Sequence, residues 1–316
     1  MQKTAFLFAG QGAQTVGMGQ DLYDYSDKAK RIFDMSGEIR DLCFNGSKEQ
    51  LDITINTQPA VFLMDLACAE VLAEKGIKAE GVAGFSLGEI PASCFAGLMN
   101  KEQAFAFVRH RAKVMHECSS KNKGSMFAVM KLSEEQVENI CSSTENTFPG
   151  NAFPVNYNSP GQTVVACADD AAEDLVKAVS EHGGKAIKLA ASGAFHSPFM
   201  DTASESVAKY LENEDFETLQ IPIYSNFTAK EYNDGVSVNE FNTNAKMLLT
   251  KQVNNPVLWQ KTIENMIKDG FDTFIEVGPG KTLSGLMKKI NPDVRVYNVS
   301  DVPSLENTAE ELTKNA

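Results

Sequence analysis

Two periods run through the chain. Short apolar runs bounded by glycine or polar residues predict buried strands at Thr4 to Phe8, Ala79 to Ala83, Ser125 to Met130, Ile221 to Ser225 and Thr273 to Val277. Between them, apolar residues recur at helical spacing. Ala60, Leu63, Met64, Ala67 and Cys68 have apolar neighbours and predict a largely buried helix opened by Thr57-Gln58-Pro59-Ala60. Ala104, Phe107, Val108, Val114 and Met115 form the stripe of a helix over 101–118, capped by Asn100. Asp21 to Ile39 is mixed and polar and predicts a helix. Phe241 to Val253 predicts another, and the acidic stretch Ser304 to Ala316 a frayed terminal one.

The middle of the chain has its own rhythm. After the strand at Ser125, Ser133 with Gln136 makes a capping box ahead of Val137, Ile140 and Cys141. Pro154 to Asn158 and Gln162 to Cys167 are strands joined by Ser159-Pro160-Gly161. Ala172, Leu175, Val176 and Val179 share a helix face, and Lys185 to Ala190 is a last strand. The order βαββαβ is ferredoxin-like. Residues 124–192 therefore read as a small domain inserted into a larger one made of 1–123 and 193–316.

Composition narrows the class. The 43% hydrophobic and 22% charged content of these 316 residues is that of a soluble globular chain. A net charge of −13 with no basic cluster argues against nucleic acid as a partner. Cys43, Cys68, Cys94, Cys118, Cys141 and Cys167 show neither metal-site spacing nor a disulfide framework, and predict buried thiols in a reducing compartment. No run reaches membrane-span length, and Ala5 to Ala9 does not fit a signal peptide, so the cytoplasm is the expected setting.

Candidate chemistry centres on Gly84-Phe85-Ser86-Leu87-Gly88, between a predicted strand and a helix over Glu89 to Phe95. In that context Gly-x-Ser-x-Gly marks a nucleophilic serine on a sharp turn, with helix N–H groups aimed at it. By itself the pattern also fits a glycine-rich surface turn. The large domain is accordingly expected to be α/β-hydrolase-like with a parallel sheet. Two other glycine loops mimic nucleotide sites and fail in detail. Gly10-Gln11-Gly12 has Thr15 where the third glycine belongs, and Gly280-Lys281-Thr282 has Ile275 where a phosphate loop needs glycine. Arg111 lies inside the apolar stripe of its helix, whereas Arg109, His110, Lys113 and His116 lie outside. A core-facing guanidinium needs an internal carboxylate, a route to the surface, or a ligand carboxylate. His196 follows the small domain directly, in a loop of small residues and proline. That location makes it a candidate base, although loop histidines are commonly inert.

Taken together, Phe8-Ala9-Gly10-Gln11-Gly12-Ala13-Gln14, Gly84 to Glu89, Arg111, Asn156 to Gln162, Ala194-Phe195-His196-Ser197 and Glu276 to Lys281 resemble the malonyl-CoA:acyl carrier protein transacylase family, in order and spacing, from residue 4 to about 290. The resemblance implies an acyltransferase of fatty acid biosynthesis, with Ser86 as nucleophile and His196 as base and then acid. It implies Gln252 as the residue whose backbone carbonyl orients His196. Gln11 and Leu87 would give oxyanion N–H donors, and Arg111 would hold the malonyl carboxylate. It implies malonyl-CoA and acyl carrier protein as partners, with no resident cofactor or metal, and a monomer is expected. A polyketide-pathway acyltransferase and a serine acyl-hydrolase are the alternatives. Two departures stand out: Phe85 where the family usually has histidine, and Ala9 where proline is common. Because acyl carrier proteins are acidic, Lys281, Lys288 and Lys289 are the expected docking cations.

Overall fold

The structure is a computed structural model that describes residues 3–143, 150–191 and 193–314. Strands β1 (Thr4–Phe8), β2 (Gly81–Gly84), β7 (Ile223–Tyr224), β8 (Thr273–Val277) and β9 (Arg295–Val299) form an all-parallel sheet of order β7-β2-β1-β8-β9. Parallel strands covered on both faces must be apolar throughout, and β1, the central strand, is buried at every residue. The second sheet comprises β3 (Gly124–Met130), β4 (Ala152–Ser159), β5 (Gln162–Ala168) and β6 (Lys185–Lys188). It is antiparallel, of order β4-β5-β3-β6.

Alternation along this second sheet gives it two apolar faces. Phe127, Val129, Val165 and Cys167 pack with Val137, Ile140, Leu175 and Val179 of its own two helices. Met126, Ala128, Val164 and Ala166 join the main core. The sheet is thus glued to the larger body by side chains that point opposite to those holding its helices.

Several elements differ from expectation. The stretch from Asp21 to Ile39 is not one helix. It falls in Gln20–Tyr25, Asp27–Phe33 and Gly37–Asn45, because Ser26 and Ser36 turn their side chains onto the following N–H groups and restart the helix. The buried helix runs Thr54–Glu74, with Pro59 inside it. The strand before the elbow is Gly81–Gly84, shifted toward the turn. The terminal helix, Val302–Lys314, is not frayed: Leu305 is buried, Thr308 Oγ1 donates to Asn298 O, and Lys75 pairs with Glu306. Residues 315 and 316 of that expectation, and residue 192 at the small-domain boundary, lie outside the described residues. Strand β9 and helix Trp259–Lys268 carried no expectation. All six cysteines are buried and free. Among the described residues, no helix is long and apolar enough to cross a membrane.

Candidate active site

Strand β2 ends at Gly84, and Ser86 follows with φ of 52°, the left-handed region. The flanking glycines are required by contact. A Cβ on Gly84 would lie 2.0 Å from Gly88 backbone, and one on Gly88 2.2 Å from Phe8 O. The strained turn lifts the serine hydroxyl off the sheet edge. Asn226 clamps it from outside: its Oδ1 accepts from Ser86 N at 2.6 Å and its Nδ2 donates to Gly84 O at 2.6 Å. Asn226 is held in turn by buried Glu89, whose carboxylate accepts from Asn226 N at 3.3 Å and from Tyr232 Oη at 2.7 Å. Burial pushes Glu89 up to about 7, against the pull of those hydrogen bonds and of Arg111.

His196, buried and also left-handed at φ 58°, meets Ser86. Its Nδ1 donates to Gln252 O at 2.8 Å, which leaves Nε2 to accept from Ser86 Oγ at 2.6 Å. That is the protonation pattern a base needs. Burial lowers His196 to about 4, helped by the nearby Arg111 charge and opposed by backbone hydrogen bonds at Gln252 and Asn255.

Arg111 is 1% exposed, so it does not snorkel to the surface. Nor does it end on a carboxylate. Nη1 donates to Gln58 Oε1 at 2.6 Å, Nη2 donates to Gln252 Oε1 at 2.9 Å, and Nε has no partner among the described residues. Burial lowers its pKa to about 10, with Glu89 pulling the other way, so it stays cationic at neutral pH. Gln252 is the hinge of the site. Its backbone carbonyl takes the imidazole, its Oε1 takes the guanidinium, and its Nε2 donates to Ser86 O at 2.5 Å. Ser86, His196, Gln252 and Arg111 are therefore one connected network.

Leu87 is buried in the turn immediately after Ser86, and Gln11 lies in the loop leaving β1. The Phe85 ring fills the place where Gly10 has no side chain: a Cβ there would sit 2.9 Å from its Cδ1. On its other side Phe85 meets Trp259 edge-on, ring centroids 5.4 Å apart. An apolar wedge thus occupies the position before the serine. Asn226, Glu89 and Tyr232 brace the turn, while Gln58 and Thr54 stand behind Arg111, and sequence reasoning assigned none of them a role in the site.

The low pKa of His196 sets an expected pH profile. An imidazole can act as a base only when neutral, and His196 is neutral above about 4. Acylation of the free protein should keep its rate down to that region, whereas an unperturbed imidazole would lose it near pH 6.5. A pH series of kcat/KM with an acid limb near 6.5 would contradict the burial described. The sign for stability follows from the same shift. Unfolded His196 takes up its proton near 6.5 and folded His196 only near 4. Stability is therefore lost as pH falls through that window.

A serine on a strained strand-to-helix turn, with an imidazole on its hydroxyl, defines a protein that can carry an acyl group as an ester. The chain belongs to the acyl transferase domain family, whose pattern matches residues 5–305. It is 36% identical to the malonyl CoA-acyl carrier protein transacylase of Bacillus subtilis, over 97% of this chain and 96% of that one. The transacylase of the same name from Clostridium perfringens has a crystal structure that superposes with a TM-score of 0.90 at 38% identity, covering 99% of this chain and 98% of that one. A third relative is a malonyl-transacylase solved in complex with its type II PKS acyl-carrier protein, with a TM-score of 0.91 at 32% identity, covering 98% of this chain and all of that one (100%).

Proposed function

We propose that this protein moves a malonyl group from malonyl-CoA to the phosphopantetheine thiol of acyl carrier protein, through an ester on Ser86, in fatty acid biosynthesis. The observation that carries the reading is the connected network: the nucleophile and its base share Gln252 with a buried cation that, among the described residues, is hydrogen-bonded to amides and to no carboxylate. A hydrolase of uncharged acyl groups has no use for that cation.

In this reading Ser86 Oγ attacks the thioester carbonyl while His196 Nε2 takes its proton. The oxyanion forms between the backbone N–H groups of Gln11 and Leu87, each contributing about 3 kcal/mol to lowering the barrier. Coenzyme A leaves with the proton from His196. The carrier thiol then enters, gives its proton to His196 and takes the acyl group; the ester bond to Ser86 breaks, and His196 returns the proton to Ser86 Oγ. One thioester is consumed and another formed, so the exchange runs without a resident metal or cofactor. The malonyl carboxylate pairs with Arg111. Pairing offsets the charge that depresses His196, so the loaded site holds a stronger base than the free one.

The cytoplasm, a monomer and docking of the carrier near Lys281, Lys288 and Lys289 belong to the same reading. Those lysines are exposed on and beside helix Thr282–Ile290, and Lys289 Nζ also donates to Gln162 Oε1. The division into 1–123 with 193–316 and an inserted 124–192 is likewise proposed, supported by the separate sheet and its separate apolar cluster. The PKS relative supports a second reading, polyketide assembly, which differs only in the carrier served.

One assay tests transfer against hydrolysis. Malonyl-CoA is mixed with the protein, with and without holo acyl carrier protein. Malonyl-carrier should accumulate, and free malonate should stay near its spontaneous rate. Malonate released at one rate in both mixtures would sink the transferase reading.

A further inference from the structure

A single file of side chains joins the Arg111 guanidinium to the loop that carries Gln11. Arg111 Nη1 donates to Gln58 Oε1 at 2.6 Å, Gln58 Nε2 donates to Thr54 Oγ1 at 3.0 Å, and Thr54 Oγ1 donates to Gln11 Oε1 at 2.7 Å. Gln58 and Thr54 lie one turn apart on helix Thr54–Glu74, and both are buried to 1% exposure or less. A buried glutamine in a helix with this many apolar neighbours is costly unless both ends of its amide are satisfied. Here both are.

The file has a direction. Arg111 can only donate, so the Gln58 amide must turn its oxygen to the guanidinium and its nitrogen to Thr54. Thr54 Oγ1 then spends an acceptor site on Gln58, and its one proton points at Gln11. Every link runs the same way, so each polarises the next. The Gln11 loop has a second tether, Gly12 N to Gln14 Oε1 at 2.7 Å and Gln14 Nε2 to Asp52 Oδ1 at 2.8 Å, which is less buried and ends two residues before Thr54 without touching Arg111.

We propose that Thr54 and Gln58 are positioning residues that couple capture of the acyl carboxylate at Arg111 to placement of the Gln11 backbone N–H beside the reacting carbonyl. The proposal rests on the roles of Arg111 and Gln11 given under the proposed function. A carboxylate clasped by Arg111 immobilises the guanidinium. That fixes the Gln58 amide, the Thr54 hydroxyl and finally the Gln11 side chain. An acyl group without a carboxylate adds no anchor to the guanidinium beyond Gln58 and Gln252. Selectivity then enters the rate of acylation as well as binding, because the wrong acyl group meets a less well-held oxyanion donor.

The test is single-turnover acylation of Ser86, followed by intact mass, with malonyl-CoA and acetyl-CoA on the full chain and on Thr54→Val, Thr54→Ser and Gln58→Met. Thr54→Val removes the hydroxyl and keeps the branched shape. It should slow malonyl acylation about tenfold at saturation, with the half-saturating malonyl-CoA concentration within about twofold. Acetyl acylation should change by less than about twofold, since no carboxylate fixes the Arg111 end of the file. Thr54→Ser should restore the malonyl rate. If Thr54→Val does not fold, as judged by its melting curve, Gln58→Met carries the same malonyl-against-acetyl expectation. Equal slowing with both acyl groups, or none, would overturn the coupling while leaving the acyl-ester intact. An unmodified Ser86 in the parent protein would instead overturn the proposed function, and the coupling with it.

Discussion

Ser86→Ala is expected to give a protein that folds, binds malonyl-CoA and never gains the mass of a malonyl group. Transfer to the carrier should fall by about 10⁴–10⁶-fold, the range seen when a nucleophile acting in concert with its base is removed. The fold should tolerate the change because the turn is held by backbone and neighbours, not by the hydroxyl. Asn226 grips Ser86 N and Gly84 O, and Gln252 Nε2 grips Ser86 O. A Ser86→Ala protein that still became acylated, by mass after incubation with malonyl-CoA, would move the nucleophile elsewhere.

Arg111→Ala should separate acyl groups. With malonyl-CoA, kcat/KM should drop by about 10²–10³-fold, the loss of a charge-assisted pair in a dry site. Acetyl transfer should survive or rise, because no desolvated cation then faces the methyl group. The substitution also removes the charge that helps hold His196 at about 4, so the acid limb of the acetyl reaction should move up in pH. Equal losses for both acyl groups, measured with the same carrier, would make Arg111 a structural cation.

How much of this was legible in the sequence depends on where each signal resides. The elbow is local, so Gly84, Ser86 and Gly88 could be read from spacing, and the contact of each glycine explains why. Arg111 was legible as a charge out of phase with its helix. Periodicity could say that it needed a partner, but the amides of Gln58 and Gln252 come from helices distant in the chain. The orienting carbonyl of Gln252 had no signal in residue type, since any residue has a carbonyl, and only the family resemblance pointed to it.

Thr54 and Gln58 went unread because their helix is buried on every side, so their polarity looked like noise in an apolar run. Asn226 and Glu89 went unread because a clamp made by a loop residue exists only after β7 lies beside β2. The helical stretch after Asp21 was misjudged through side chains of one atom's reach: Ser26 and Ser36 each cap a new helix, which outweighs continuity of pattern. Strand β9 was missed because none of Arg295 to Asn298 is fully buried, which leaves alternation faint at a sheet edge.

The proposed nucleophile and base both stand in left-handed backbone, Ser86 at φ 52° and His196 at φ 58°, where an L side chain is strained and glycine is not. Selection for stability alone would erase the active centre, since glycine at either position relaxes the backbone at the moment it deletes the chemistry. A consensus drawn from relatives that have lost activity should drift toward glycine at these two sites first, which makes them markers of a decaying enzyme as well as a working one.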